Sequence, residues 1–169
     1  MTPEQNDLIA VADAMADAAR AAILPHFRSA TLTADNKLSE GFDPVTVADR
    51  AAELAMRAVL AERRPQDGIF GEEFGKSQGS SGLTWVLDPI DGTKGFLRLD
   101  QYAVALGLVV DGVPVMGLLG CPNLPSNGAE PDSARGAIFI GIPGEGAVQR
   151  GLEDATEHPI SVAQVPSLA

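Results

Sequence analysis

Four acids stand at the ends of apparent structural elements: Asp49, Glu72, Asp88 and Asp91. The densest stretch is WVLDPIDGTKGF, Trp85 to Phe96, where an apolar run ends in two acids three residues apart. If three such carboxylates converge within about 4–5 Å, each pair repels by roughly 1–4 kcal/mol at effective dielectrics of 80 to 20. Protonation is one relief. A hard divalent cation, which takes oxygen ligands, is a better one. Pro89 stiffens the turn between Asp88 and Asp91, so the Ile90 carbonyl can point the same way and add an oxygen ligand. Gly92 and Thr93 follow at an apparent helix start, where backbone N–H groups suit a phosphate. A cation on one side and N–H donors on the other read as a phosphoryl site.

Each motif has a plainer meaning by itself. Asp, Pro and Gly are turn residues, so DPIDG also suits an ordinary turn. An acid in a helix's first turn is favourable without any ligand. Gly71-Glu72-Glu73 suits a solvated loop. The conjunction of all of them in one chain, in this order, selects the cation reading.

The elements that must position these residues are legible in outline. Thr2, Pro3 and Gln5 form an N-cap, first-turn proline and capping box. Leu8, Ala12, Met15, Ala19 and Ile23 then make one helix face, which Pro25 ends. Ser29 to Gly41 is polar, an exposed loop or weak hairpin. Thr46 is the next N-cap, which puts Asp49 in the first turn of a second helix. Ala51, Leu54, Ala55, Ala58 and Val59 are its expected apolar stripe, with Pro65 beyond its end. The period then changes. Gly68 to Phe70 and Thr84 to Leu87 read as buried strands. Tyr102 to Val110 and Val113 to Cys121 read as a hairpin through Asp111-Gly112. Pro122 to Ser133 is turn-rich. Gly136 to Ile142 and Ala147 to Arg150 read as a second hairpin, and Pro159 to Val162 as a last strand. The expected fold class is α+β, with two N-terminal helices packed on a mostly antiparallel sheet. The chain, residues 1–169, is long enough for one such domain.

Composition narrows the partners. The formal net charge of −11 disfavours nucleic acid polymers and anionic membranes. The single cysteine, Cys121, cannot form an internal disulfide, so a reducing, cytoplasmic setting is expected. There is no secretory pattern at the N-terminus, and the longest apolar stretch is too short to span a bilayer. His26 and His158 each neighbour a proline and suit surface or capping roles. Lys37 and Lys94 suit solvated positions more than substrate contact. Gly141, Gly144 and Gly146 lie in a hairpin, not between strand and helix, so a dinucleotide loop fails its context.

DPVTVADRAAE (Asp43 to Glu53), GEE (Gly71 to Glu73) and WVLDPIDGTKGF together resemble the inositol monophosphatase superfamily of magnesium-dependent, lithium-sensitive phosphatases. The resemblance implies the first half of that superfamily's αβαβα sandwich. It implies that Glu72, Asp88, Asp91 and the Ile90 carbonyl bind Mg²⁺, with Mn²⁺ as a substitute. It makes Asp49 and Thr93 the groups that position and activate the attacking water. Gly92 and Thr93 N–H groups would hold the phosphate of a small phosphorylated metabolite. Gly92 to Pro125 resembles the 3′(2′),5′-bisphosphate nucleotidases, whereas the first helix and Asp49 to Gly75 resemble histidinol-phosphate phosphatases. The nucleotidase reading is favoured, because its signature is longer and sits beside the phosphate. Inositol monophosphate is a further alternative, and so is a metal- and phosphate-binding domain without turnover. Superfamily members carry a second half with a Trp-Asp motif, but the only Trp here is Trp85. The expectation is therefore that the second domain is absent. A sheet face without that cover would be expected to self-associate, as a homo-oligomer.

Overall fold

A computed structural model describes residues 2–27, 34–36, 44–128, 130, 132–152 and 156–162. Lys37, Asp43 and most of the segment from Ser29 to Gly41 lie outside the described residues.

Helix α1 spans Pro3–Ile23 and opens with the expected capping box. Gln5 N donates to Thr2 Oγ1 at 3.2 Å, and Thr2 N donates to Gln5 Oε1 at 2.6 Å. Its inward face is Val11, Ala12, Met15, Ala16, Ala19 and Ile23, all buried. Strands β1 (Ala34–Asn36) and β2 (Pro44–Thr46) pair antiparallel. Thr46 then caps helix α2, Val47–Arg63.

The face that α2 buries corrects the sequence expectation. Ala48, Asp49, Ala52, Glu53, Met56 and Leu60 point inward, whereas Leu54 is 55% exposed and Ala58 is exposed. The inward face carries two carboxylates, and that breaks its apolar periodicity. The outward Leu54 then pulls the apparent phase round the helix.

Eight strands form the main sheet, in the order β10-β9-β8-β7-β6-β5-β3-β4. They are β3 (Gly68–Gly71), β4 (Gly75–Ser77), β5 (Leu83–Asp91), β6 (Ala103–Val110), β7 (Val113–Pro125), β8 (Arg135–Ile142), β9 (Gly146–Gly151) and β10 (His158–Ile160). β4 is an addition to the sequence reading, and β7 continues into the stretch expected to be turns. The β6–β7 hairpin turns on Asp111 (φ 50°) and Gly112 (φ 82°), both left-handed as a two-residue turn of this kind requires. Short helix α3 spans Thr93–Leu97.

All neighbours are antiparallel except β3 and β5, which run parallel from Gly68↔Thr84 to Gly71↔Leu87. That one exception places the residue after β3 beside Asp88. The register also assigns the faces. Trp85↔Leu108↔Met116 and Leu87↔Leu106↔Leu118↔Ile140 are cross-strand rows that join the core under α1 and α2. Val86↔Gly107↔Gly117↔Gly141 form a row on the opposite face. There Phe70 and Leu119 are exposed, and Lys76 Nζ stands 4.6 Å from the centre of the Phe70 ring. The expectation of self-association rests on this open face. Among the described residues, no helix is long and apolar enough to cross a membrane.

Asp67 fastens the end of α2 to the sheet. Its Oδ2 accepts hydrogen bonds from Arg64 Nε and from Trp85 Nε1, each at 2.9 Å. Burial alone would raise the Asp67 carboxyl, but hydrogen bonds from Arg64, Ser81 and Trp85 outweigh it and hold the group below 3.8. A lowered value in the folded state stabilises above the ordinary carboxylate range and loses that contribution as pH falls through the lowered value.

Two outcomes are expected from urea denaturation. Met56→Ala destabilises by about 2–5 kcal/mol, whereas Leu54→Ala changes stability by less than about 0.5 kcal/mol. Asp67→Asn destabilises by about 1–3 kcal/mol near neutral pH, and the gap from wild type narrows as pH drops below about 4.

Candidate active site

The site begins at the capped end of α2. Thr46 donates to Asp49 Oδ2 twice, from N at 2.8 Å and from Oγ1 at 2.5 Å. Asp49 Oδ1 is thereby turned toward Thr93, whose Oγ1 lies 3.3 Å away. The Thr93 hydroxyl also lies 3.1 Å from the Ile90 carbonyl oxygen. It has one proton, so the two acceptors compete for it. Asp49 is only 1% exposed and reaches the surface of the site through Thr93.

The end of β5 solves a parity problem. Residues three apart on a regular strand point to opposite faces. Asp88 pairs with Ala105 and Asp91 with Ala103, so one extra residue is inserted between them. Such a bulge re-aims side chains, and here it returns Asp91 to the face of Asp88. Gly92 follows with φ 92°, a left-handed conformation that favours glycine, and caps α3. This helix of five residues is held from behind. Phe96 is buried against Phe27 and Tyr102, with ring centroids 5.2 and 5.1 Å away. Gly95 lies against the Gln101 carbonyl, where a Cβ would come within 2.3 Å of the oxygen.

A cavity of about 260 Å³ opens between these parts, lined by Glu72, Asp88, Ile90, Asp91, Gly92, Thr93 and Lys94. Every residue expected to hold cation or phosphate borders it, and Asp49 lies beneath. Lys94 is exposed, as expected, and also borders the cavity. Neither histidine lines the cavity. Burial, then the negative charge of Asp91, pushes the Cys121 thiol up, as suits a structural cysteine.

Asp88 is the centre of strain. Glu72 follows β3, and its N–H donates to the Leu87 carbonyl at 3.1 Å. Burial, a hydrogen bond shared with Glu72, and the charges of Glu72 and then Asp91 push the Asp88 carboxyl up to about 8. Its Oδ1 is buried without a hydrogen-bond partner. A buried, unpartnered oxygen costs roughly 1–3 kcal/mol. Among the described residues, however, no group of three or more His, Cys, Asp or Glu side chains is gathered as a metal-holding set. The expected three-carboxylate convergence is thus realised as a close pair with the exposed Asp91 acting on it by charge. Hard oxygen donors, mutual repulsion and an orphaned Oδ1 fit a divalent cation.

One buried acid beside the site is absent from the sequence reading of candidate residues. Glu53, one helical turn after Asp49, is fully buried and hydrogen-bonded to the residues that follow Glu72. The i, i+4 spacing of two acids at the start of α2 was its available signal.

The layered fold has solved counterparts. An inositol monophosphatase from Zymomonas mobilis superposes with a TM-score of 0.68 and 35% identity, covering 98% of this chain and 56% of that one. The chain belongs to the inositol monophosphatase family, whose model matches residues 4–169. A histidinol-phosphatase of Mycobacterium tuberculosis is 36% identical over 164 residues, 96% of this chain and 58% of that protein. A 3′(2′),5′-bisphosphate nucleotidase of Dictyostelium discoideum is 50% identical over 90 residues, 52% of this chain and 26% of that protein. The chain therefore spans only part of the length of these curated relatives.

The packing of α3 gives a direct test. Gly95→Ala should destabilise by about 1–3 kcal/mol in urea denaturation, because its methyl group would meet the Gln101 backbone carbonyl.

Proposed function

We propose that this chain carries the cation and phosphate site of a divalent-cation-dependent phosphomonoesterase acting on a small phosphorylated metabolite, most closely of the 3′(2′),5′-bisphosphate nucleotidase kind. The observation that carries the reading is the Asp88 carboxyl, crowded by Glu72 and Asp91 on a cavity wall shared with Gly92 and Thr93. Glu72, Asp88, Asp91 and the Ile90 carbonyl would hold Mg²⁺, or Mn²⁺ in its place. When bound, the cation supplies charge neutralisation at phosphoryl oxygens and an acidified water.

The remaining work falls to the chain's own groups. Thr93, with its proton directed at Asp49, offers its oxygen lone pairs to a water O–H. Asp49 Oδ1 accepts the Thr93 proton in turn, so the pair orients water and draws a proton inward. The N–H groups of Gly92 and Thr93 would grip the phosphate at the start of α3, and the Lys94 ammonium adds positive charge to the wall.

The 50% identity to a bisphosphate nucleotidase supports that substrate class. The broader 36% match to a histidinol-phosphatase keeps histidinol phosphate as the second reading, with inositol monophosphate behind it. Because the chain spans part of its relatives' length, binding of cation and phosphate without turnover is the remaining alternative.

Phosphate release from adenosine 3′,5′-bisphosphate, histidinol phosphate and inositol 1-phosphate, with and without Mg²⁺ and lithium, separates these readings. Mg²⁺-dependent, lithium-sensitive release is expected, fastest with the first substrate. Asp88→Asn should lower it by more than about 100-fold while circular dichroism stays unchanged. Calorimetric Mg²⁺ binding without release would favour the non-catalytic domain, and full activity in Asp88→Asn would end the proposed mechanism.

A further inference from the structure

The inward face of α2 carries a second carboxylate that the reaction outlined above does not use. Glu53 is 0% exposed, and both of its oxygens are occupied. Oε2 accepts from Glu73 N at 2.6 Å. Oε1 accepts from Phe74 N at 3.2 Å and from Arg57 Nε at 2.8 Å. Arg57 reaches onward, donating from Nη2 to the Gly75 carbonyl at 2.6 Å and from Nη1 to Ser77 Oγ at 3.1 Å. A carboxylate buried this completely is tolerated only when paired and hydrogen-bonded. All of its partners beyond Arg57 are backbone amides of one turn.

The choice of that turn is specific. A Cβ on Gly71 would stand 1.9 Å from Glu53 Oε1 and 2.8 Å from Arg57 Nη2, so the carboxylate lies directly against the Gly71 backbone. Glu53 therefore touches residues 71, 73 and 74, on both sides of Glu72. The Glu72 N–H is meanwhile fixed to the Leu87 carbonyl of β5. The backbone of Glu72 is thus held by the sheet through its own amide and by α2 through the next two.

We propose that Glu53, supported by Arg57, is a positioning residue that aims the Glu72 carboxylate at the cation site. The inference rests on the reading of Glu72 as a cation ligand. It makes α2 the shared base of the site. Asp49 sets Thr93 from the helix's first turn, and Glu53 sets Glu72 from the second. An ion pair that served only stability would have no reason to bracket that one acid. Groups that orient a metal ligand from behind typically account for about 10–100-fold in metal affinity.

The test is Mn²⁺ titration by isothermal calorimetry of the wild-type chain, Glu53→Gln, Arg57→Gln and Met56→Ala, well below the unfolding midpoint of each. Hydrogen exchange at the amides of residues 72–74 is read in parallel. Glu53→Gln is expected to bind Mn²⁺ about 10–100-fold more weakly and to lose protection at residues 73 and 74. Arg57→Gln should show a smaller loss in the same direction. Met56→Ala lies on the same helix face but touches none of these amides, so it should lose stability and keep wild-type affinity. Wild-type affinity in a folded Glu53→Gln overturns the inference. An equal loss in Met56→Ala also overturns it, because affinity would then follow stability. Where Glu53→Gln does not fold, unchanged affinity in Arg57→Gln overturns it instead. No Mn²⁺ binding by the wild-type chain removes the cation reading of Glu72, and this inference with it.

Discussion

Two carboxylates held against each other, one exposed and the other half-buried, are the constraint that the surrounding structure serves. Left to itself, the chain would separate Glu72 and Asp88, because proximity penalises both charges and burial penalises that of Asp88 as well. Separation is prevented by the one parallel strand pair in an otherwise antiparallel sheet. β3 and β5 run side by side in the same direction, so Gly71 and Leu87 bring the residues that follow them to the same end of the sheet. Gly71 pairs with Leu87, and the next residue on each strand is an acid. The cost appears at Asp88, whose carboxyl is driven far from its ordinary value and whose Oδ1 has no partner.

The energy that holds this arrangement lies elsewhere. A continuous core runs under α1 and α2, from Met15, Ile23 and Met56 to Trp85, Leu106 and Ile140. Each fully buried side chain of this size contributes roughly 1.5–3 kcal/mol relative to exposure, so a few of them outweigh one crowded carboxyl. The connections between core and site are short. Trp85 and Leu87 lie in the core on the same strand that carries Asp88. Asp67 ties the Trp85 indole to Arg64 at the end of α2. Displacement of the acids would therefore require movement of a packed strand.

How much of this was legible depended on which rule each residue obeyed. Caps and turns are legible because their signals are local: Thr2 with Gln5, Thr46 with its first turn, Asp111 with Gly112. Strand positions were read from apolar runs, and the hairpins from their turns. The phase of α2 is hidden from periodicity because Asp49 and Glu53 occupy its inward side, and a carboxylate directed into the protein looks like a solvent residue. The strand β4 is not legible because Gly75, Lys76 and Ser77 have little strand character, and its pairing with β3 is supported from α2 by Arg57. The candidate site residues stand out by type and spacing. Their degree of convergence does not, since a bulge at residues 88–91 decides it and no composition announces a bulge.

The departures from local rules are concentrated here, and they are coupled. A charged residue at 53 breaks an apolar helix face, and a glycine at 71 gives up a side chain to make room for it. An inserted residue breaks the alternation of β5, and Gly92 adopts a left-handed conformation to turn the chain immediately into α3. Each departure would be destabilising by itself. Each also has a neighbour that depends on it. The glycine accommodates the carboxylate, the carboxylate occupies the amides after Glu72, and the bulge returns Asp91 to the side of Asp88. Reversing any one of them singly leaves another unsupported. That mutual dependence ties the segments around residues 46–57, 68–77 and 83–97 to one another, although they are separated in sequence and built from both helices and strands.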